Sequence, residues 1–146
     1  MKKIFAAAAM AAALACSAPA SAQDSAYELG SLWNVGMIDV EDGQFEAYMD
    51  WLNSRWKSNQ RFAKSQGWLL DFHILANENS RYGEPDLYLI TVYAEMPTPA
   101  KEKKMNDEFV AMMQRDEHKL DAESGVRTKM RTVMGGMLLR ELTLRK

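Results

Sequence analysis

The sequence predicts an α+β domain with the element order β-α-β-β-α-β. Three observations carry that expectation. Apolar residues alternate at period two in four short stretches, the pattern of a strand. Between the first and second of these, and again after Pro99, the apolar spacing changes to three and four residues, the pattern of a helix. Gly-, Asn- and Pro-rich segments divide the stretches and supply turn chemistry.

The chain has 146 residues, enough for one domain, and its first 22 have a separate character. Met1-Lys2-Lys3 is a basic start, Ile4 to Cys16 is an uncharged run dominated by alanine, and Ala20-Ser21-Ala22 is a small-x-small cleavage site. That layout predicts a secretory signal peptide over 1–22 and an exported bacterial protein, periplasmic or secreted. Cys16 could alternatively be the lipid-modified residue of a lipoprotein signal, but Ala13 stands where a large aliphatic residue is usual. Cleavage after Ala22 leaves 146 − 22 = 124 residues and a charge of (18 − 2) − 20 = −4. The mature chain then holds no cysteine, which excludes a disulfide and a thiol nucleophile. A chain 47% hydrophobic and 26% charged is globular. Its acidic balance argues against a nucleic-acid partner, and no other apolar run approaches the roughly 20 residues of a transmembrane segment.

Residues 23–31 read as a flexible lead-in, and 32–146 as the domain. Leu32 to Val40 alternates and forms the first predicted strand, stopped by Glu41-Asp42-Gly43 with Asp42 placed to cap a helix. From Gln44 to Gln66, Phe45, Tyr48, Met49, Leu52, Trp56 and Ala63 make a helical stripe, and Gly67 sits where a left-handed cap belongs. Trp51 and Trp56 cannot both be central on it, because five residues turn through about 500° at 3.6 residues per turn. Trp68 to Ala76 and Leu87 to Ala94 predict an antiparallel pair joined by a long turn region, 77–86. Thr98 and Pro99 open a second helix, with proline at its first position. Asp116 to Ser124 is charged and ambiguous. Val126, Met130, Val133 and Met134 have helical spacing closed by Gly135-Gly136, and Met137 to Leu144 is the fourth predicted strand.

This order is the split pair of the ferredoxin-like fold. The helices are expected on one face of a four-stranded antiparallel sheet. Both sides of the second and third strands are apolar, with Leu69 and Leu75 opposite Leu70, Phe72 and Ile74, and Tyr88, Ile90 and Val92 opposite Leu87, Leu89, Thr91 and Tyr93, so the face without helices would be a patch monomers rarely expose. A second copy of the sheet, giving a sheet-to-sheet homodimer, is the simplest cover.

The long Trp-rich first helix ending in Ser65-Gln66-Gly67-Trp68 resembles, with Leu87-Tyr88-Leu89-Ile90-Thr91-Val92-Tyr93, the dimeric α+β barrel superfamily. Arg131-Thr132-Val133-Met134-Gly135-Gly136 and Arg140-Glu141-Leu142-Thr143-Leu144 extend the resemblance over most of the domain, closest to its uncharacterised exported members. The superfamily includes cofactor-free monooxygenases, haem-handling enzymes and lactone isomerases. The resemblance implies a homodimer with a possible pocket and no particular reaction.

Asp71 and His73, on one side of a strand, have the makings of a carboxylate-supported general base for a cofactor-independent oxygenase or isomerase; equally, they suit a wet rim. His118 is a conceivable axial haem ligand in a helix, or part of a solvated face. Two histidines without cysteine or zinc-type spacing predict no metal site, and no cofactor motif occurs. Arg140 and Glu141 lie on opposite faces of the last strand, so one points to an otherwise apolar side; an inward Arg140 could hold an anionic ligand. Trp33, Tyr48, Trp56, Tyr93 and Arg140 are the candidate lining of a cleft between sheet and helices for a small apolar or aromatic molecule. The same aromatic residues read equally as core and dimer interface. A purely structural dimer is the third expectation. Nine mature methionines, mostly on helical apolar faces, indicate packing rather than copper binding.

Overall fold

The computed structural model describes residues 25–113 and 117–146; the signal peptide expected at 1–22, with Cys16, and Asp116 lie outside them. The elements follow in the order β1 (Tyr27–Val40), α1 (Phe45–Trp51), a π-helical turn (Leu52–Trp56), α2 (Lys57–Ser65), β2 (Asp71–Ala76), β3 (Leu87–Tyr93), α3 (Pro99–Met113), α4 (Glu117–Arg127) and β4 (Arg131–Leu144). The four strands form one antiparallel sheet in the order β2-β3-β1-β4, so β2 and β4 are its edges. The fold is α+β.

Strand pairing separates the two faces. Ile38 lies opposite Leu87, and Leu89 opposite Ile74. These residues face the α1–π–α2 rod, where Ile38, Leu87, Tyr48 and Leu52 form a buried cluster flanked by Met49, Trp51, Trp56 and Met130. Each large aliphatic side chain buried there stabilises the fold by about 1.5–3 kcal/mol. The intervening residues of each strand point the other way. Val35, Ile90 and Val92 are buried on that outer face beneath the partly exposed Trp33 and Tyr88.

Local chemistry sets the element ends. Asp86 accepts from the Val40 amide through Oδ2 (2.9 Å) and donates its own amide to the Ile38 carbonyl (2.9 Å), fixing the end of β1. The first helix begins after Gln44 without a side-chain cap, so Asp42 does not have the expected capping role; Gln44 supplies its carbonyl to the Tyr48 amide. Gly67 adopts φ 68°, as its capping position requires. The chain then turns Trp68 edge-on to Phe62 and buries Leu69, which delays β2 to Asp71. At the second helix, Thr98 accepts the Glu102 amide at its carbonyl and Pro99 is the first helical residue, as expected.

Two expectations at the strand ends are corrected. Residues 27–30, read as lead-in, belong to β1, because Tyr27, Glu28 and Leu29 pair with Leu144, Thr143 and Leu142. Val133 and Met134, read as helical, belong to β4, which starts at Arg131. Val133 pairs with Ile38, and a register shift between Met37 and Ile38 absorbs Met134, with Gly135 at φ 146°. The helical spacing of 126, 130, 133 and 134 therefore runs across the end of α4, a turn and a bulged strand.

Candidate functional site

The π-helical turn sits where the helical rod crosses the free edge of β2. A π-turn carries more residues per turn than an α-helix, and such turns recur at functional sites. Beside this π-turn lies a groove of about 430 Å³ lined by Met49, Leu52, Trp56, Phe72 and Ile74, with Asp50, Asn53, Lys57 and His73 around them. Trp56 meets Phe72 edge-on, ring centroids 5.5 Å apart, making one wall. Lys57 donates from Nζ to Asn53 Oδ1 at 2.9 Å, so the helical rod carries a fixed ammonium. Met49, Leu52, Trp56, Phe72 and Ile74 make most of the lining apolar, and Asp50, Asn53 and Lys57 add polar groups from the helical rod, a composition suited to a small molecule with a flat or aliphatic body. A second hollow of about 290 Å³ lies between α2 and α3, lined by Ala63, Trp68, Leu69, Tyr93, Met105 and Phe109 among others.

The sequence-predicted site residues divide among several places. Trp56 lines the groove; His73 borders it from the β2 edge, while its imidazole is on the outer face of the sheet. Tyr93 lines the second hollow. Trp33 is on the outer face, its indole stacked on the His73 imidazole at 5.7 Å. Tyr48 is wholly buried in the helix-side core, and burial raises its pKa against the opposing charges of Arg131 and Arg127. Arg140, opposite Leu32 on the helix-side face, donates from Nη1 to the Gly30 carbonyl at 2.9 Å.

Asp71 accepts at Oδ1 from Lys64 Nζ (2.9 Å) and from the Phe72 amide (2.9 Å). The Lys64 hydrogen bond is the largest cause of its lowered pKa, the Phe72 amide the next, and the charge of His73 the least. The partner that orients Asp71 is thus a lysine rather than His73. Of Arg140 and Glu141, it is Glu141 that lies on the outer face: Ser31 Oγ donates to its Oε2 at 2.7 Å and accepts from Trp33 Nε1 at 3.0 Å. His118 is exposed on α4. In the 77–86 loop, Arg81 pairs with Glu84 (2.7 Å) and Asn77 Nδ2 donates to the Pro85 carbonyl (3.2 Å), so the loop's polar groups engage one another.

Sequence reasoning missed Met49, Leu52, Asn53, Lys57, Phe72 and Ile74 as a lining set. Their apolar members were legible only as core stripe, because the pattern assumed 3.6 residues per turn throughout. Among the described residues, no three His, Cys, Asp or Glu gather closely enough to hold a metal ion, and no helix is long and apolar enough to cross a membrane. No protein-family model, curated protein or solved structure matches the chain.

Proposed function

We propose that the protein is an exported, ferredoxin-like homodimer that binds a small apolar or aromatic molecule in the groove between the π-turn and β2. The groove's mostly apolar lining, with a few polar groups from the helical rod, carries the binding reading. The signal-like layout of 1–22 motivates the export, and the strand order with two β-α-β halves supports the ferredoxin-like description. The dimer rests on the outer face, where Leu75, Met137 and Leu139 keep 52%, 40% and 48% of their surface around the Val35–Ile90–Val92 cluster. A second copy of that face would remove those groups from water.

The occupant is flat or aliphatic and largely uncharged. Trp56 and Phe72 supply ring surfaces, while Asn53 and Lys57 supply donors for one polar atom of the ligand. No comparable observation favours catalysis by Asp71 and His73, since Lys64 holds the carboxylate.

Titration of isotope-labelled protein with 1-naphthol, followed by amide resonances, tests the binding. Saturable shifts confined to 49–57 and 72–74 are expected. Absence of saturation, or shifts confined to the outer sheet face, would remove the groove as the site. Native mass spectrometry of protein taken from its export compartment tests the assembly and reveals any retained ligand as added mass. A clean monomer there would overturn the dimer.

A further inference from the structure

On the flank of α1 away from the groove, two arginines meet two aromatic rings. The Arg127 guanidinium carbon lies 4.9 Å from the Trp51 ring centroid, and that of Arg131 lies 5.8 Å from the Tyr48 centroid. Tyr48 and Trp51 are themselves parallel within 3°, their centroids 5.8 Å apart. Arg127 closes the last turn of α4 and Arg131 opens β4, so a three-residue turn brings both cations to the same place.

The aromatic contacts leave something over. A ring attracts the charge of a guanidinium, but it does not satisfy the N–H groups at the guanidinium's edge. Among the described residues, Arg127 Nε and Arg131 Nε are both buried without a hydrogen-bond partner, and the buried hydroxyl of Tyr48, a residue with no exposed surface, meets only the Arg131 guanidinium, too loosely placed to make a well-aligned hydrogen bond. Native proteins rarely leave even one such group unpaired, because each forgoes its water without compensation. Here three potential donors are left over together, and two of them carry positive charge.

Nearby acids compensate only in part. Glu123 acts on Arg127, while the Glu41 carboxylate accepts from the Thr132 hydroxyl at 3.0 Å. Burial is the largest cause that lowers the pKa of Arg127, and the like charge of Arg131 adds to it. Among the described residues, no carboxylate accepts a hydrogen bond from either buried Nε.

We propose that Arg127, Arg131 and Tyr48 form a binding site for a small oxyanion, the phosphate or carboxylate group of a ligand. The guanidinium edges suit such a group because its oxygens can accept from planar forks while its charge offsets theirs. Arg127, Arg131 and Trp51 are each only partly buried, so an anion can approach from solvent, with the Tyr48 hydroxyl beneath them as an additional donor. The site is independent of the groove, whose lining includes neither arginine nor Tyr48.

Inorganic phosphate and acetate, each titrated against chloride at matched ionic strength, provide the test, with thermal stability and tryptophan fluorescence as readouts. A saturable rise in Tm with phosphate alone assigns the site to phosphate groups; a rise with acetate extends it to carboxylates. Arg127→Gln and Arg131→Gln are each expected to weaken binding at least about tenfold. Tyr48→Phe guards against loss of fold, because it deletes a hydroxyl that makes no well-aligned hydrogen bond. It is expected to raise Tm without anion and to lower the affinity for phosphate. A response to neither anion beyond that to chloride overturns the proposal, as does saturable binding that all three variants leave unchanged.

Discussion

The Trp33 indole lies within 18° of parallel to the His73 imidazole, centroids 5.7 Å apart, although β3 runs between their strands. Trp33 is paired with Val92, and His73 with Ile90. The stacked rings therefore bridge diagonally across β3, which explains how Ile90 and Val92 are buried on a face without helices. The indole N–H is held in turn by Ser31, and Ser31 by Glu141.

Trp33→Ala should consequently destabilise the protein by about 2–4 kcal/mol, less than a fully buried tryptophan because the ring is partly exposed. His73→Ala should cost about 1 kcal/mol, the scale of a single ring contact. Urea unfolding of both variants checks this. A larger loss for His73→Ala than for Trp33→Ala would refute the indole's part in covering the face.

The outer face also predicts a charge-sensitive assembly. Met137 and Leu139 are exposed in the protomer, so a charge there costs the isolated chain little, but it would be buried between two sheets. Leu139→Asp is expected to convert a dimer to a monomer in sedimentation velocity with the far-ultraviolet circular dichroism unchanged. A variant that stays dimeric places the interface elsewhere.

The Lys64–Asp71 pair gives a pH dependence whose sign is fixed. The lowered folded-state pKa of Asp71 means that its carboxylate form is favoured by folding. That stability is present above the ordinary aspartate value of 3.8 and is lost as the pH falls through the lowered one. Lys64→Met should flatten this part of the acid limb in urea unfolding at a series of pH values. An acid limb identical to that of the wild type would show that the pair contributes nothing.

Gly135 is the residue on which the β4 bulge turns. Its φ of 146° is one that side chains rarely adopt, and an added Cβ would sit 3.4 Å from Met37 Cε. Gly135→Ala should therefore cost about 1–3 kcal/mol, read by thermal or urea unfolding. A neutral substitution would mean that the strand relaxes there freely.

The strand pattern was legible because alternation directly reports a pleated chain with two faces: Leu87 to Tyr93 assigned its residues to the same faces that the pairing with β1 shows. The long first helix and its Gly67 cap were legible for similar reasons of period and backbone freedom. The sequence was silent where structure depends on distant partners. Tyr27 to Leu29 carry no strong strand signal and are extended because Leu142 to Leu144 lie beside them. Val133 and Met134 continue a helical spacing from Val126 and Met130, yet pairing with β1 and a bulge at Met134 place them in β4. Of the residues grouped by chemistry as one cleft, Trp56 lies at the groove, Tyr93 at the second hollow, Tyr48 in the core, Trp33 on the outer face and Arg140 against the Gly30 carbonyl, because strand and helix faces, which spacing alone does not relate to one another, separate them.

The π-turn is the feature that composition and period could not announce, and it leads to the sharpest test of the groove. A single π-turn inside a helix corresponds to one extra residue accommodated without rotating the segments on either side. Ser54 suits a deletion, since its side chain is exposed and bonds only to the Asp50 and Trp51 carbonyls of its own helix. Removing it should let Leu52–Trp56 revert to α-helical hydrogen bonding, keep α1 and α2 on the core, and draw Asn53 and Trp56 out of their present spacing. Helical circular dichroism should persist and Tm should hold or rise, while the affinity for 1-naphthol falls at least about tenfold. Unaltered affinity in a folded deletion variant would mean that Met49, Phe72 and Ile74 suffice to make the groove, and that the π-turn has no part in its shape.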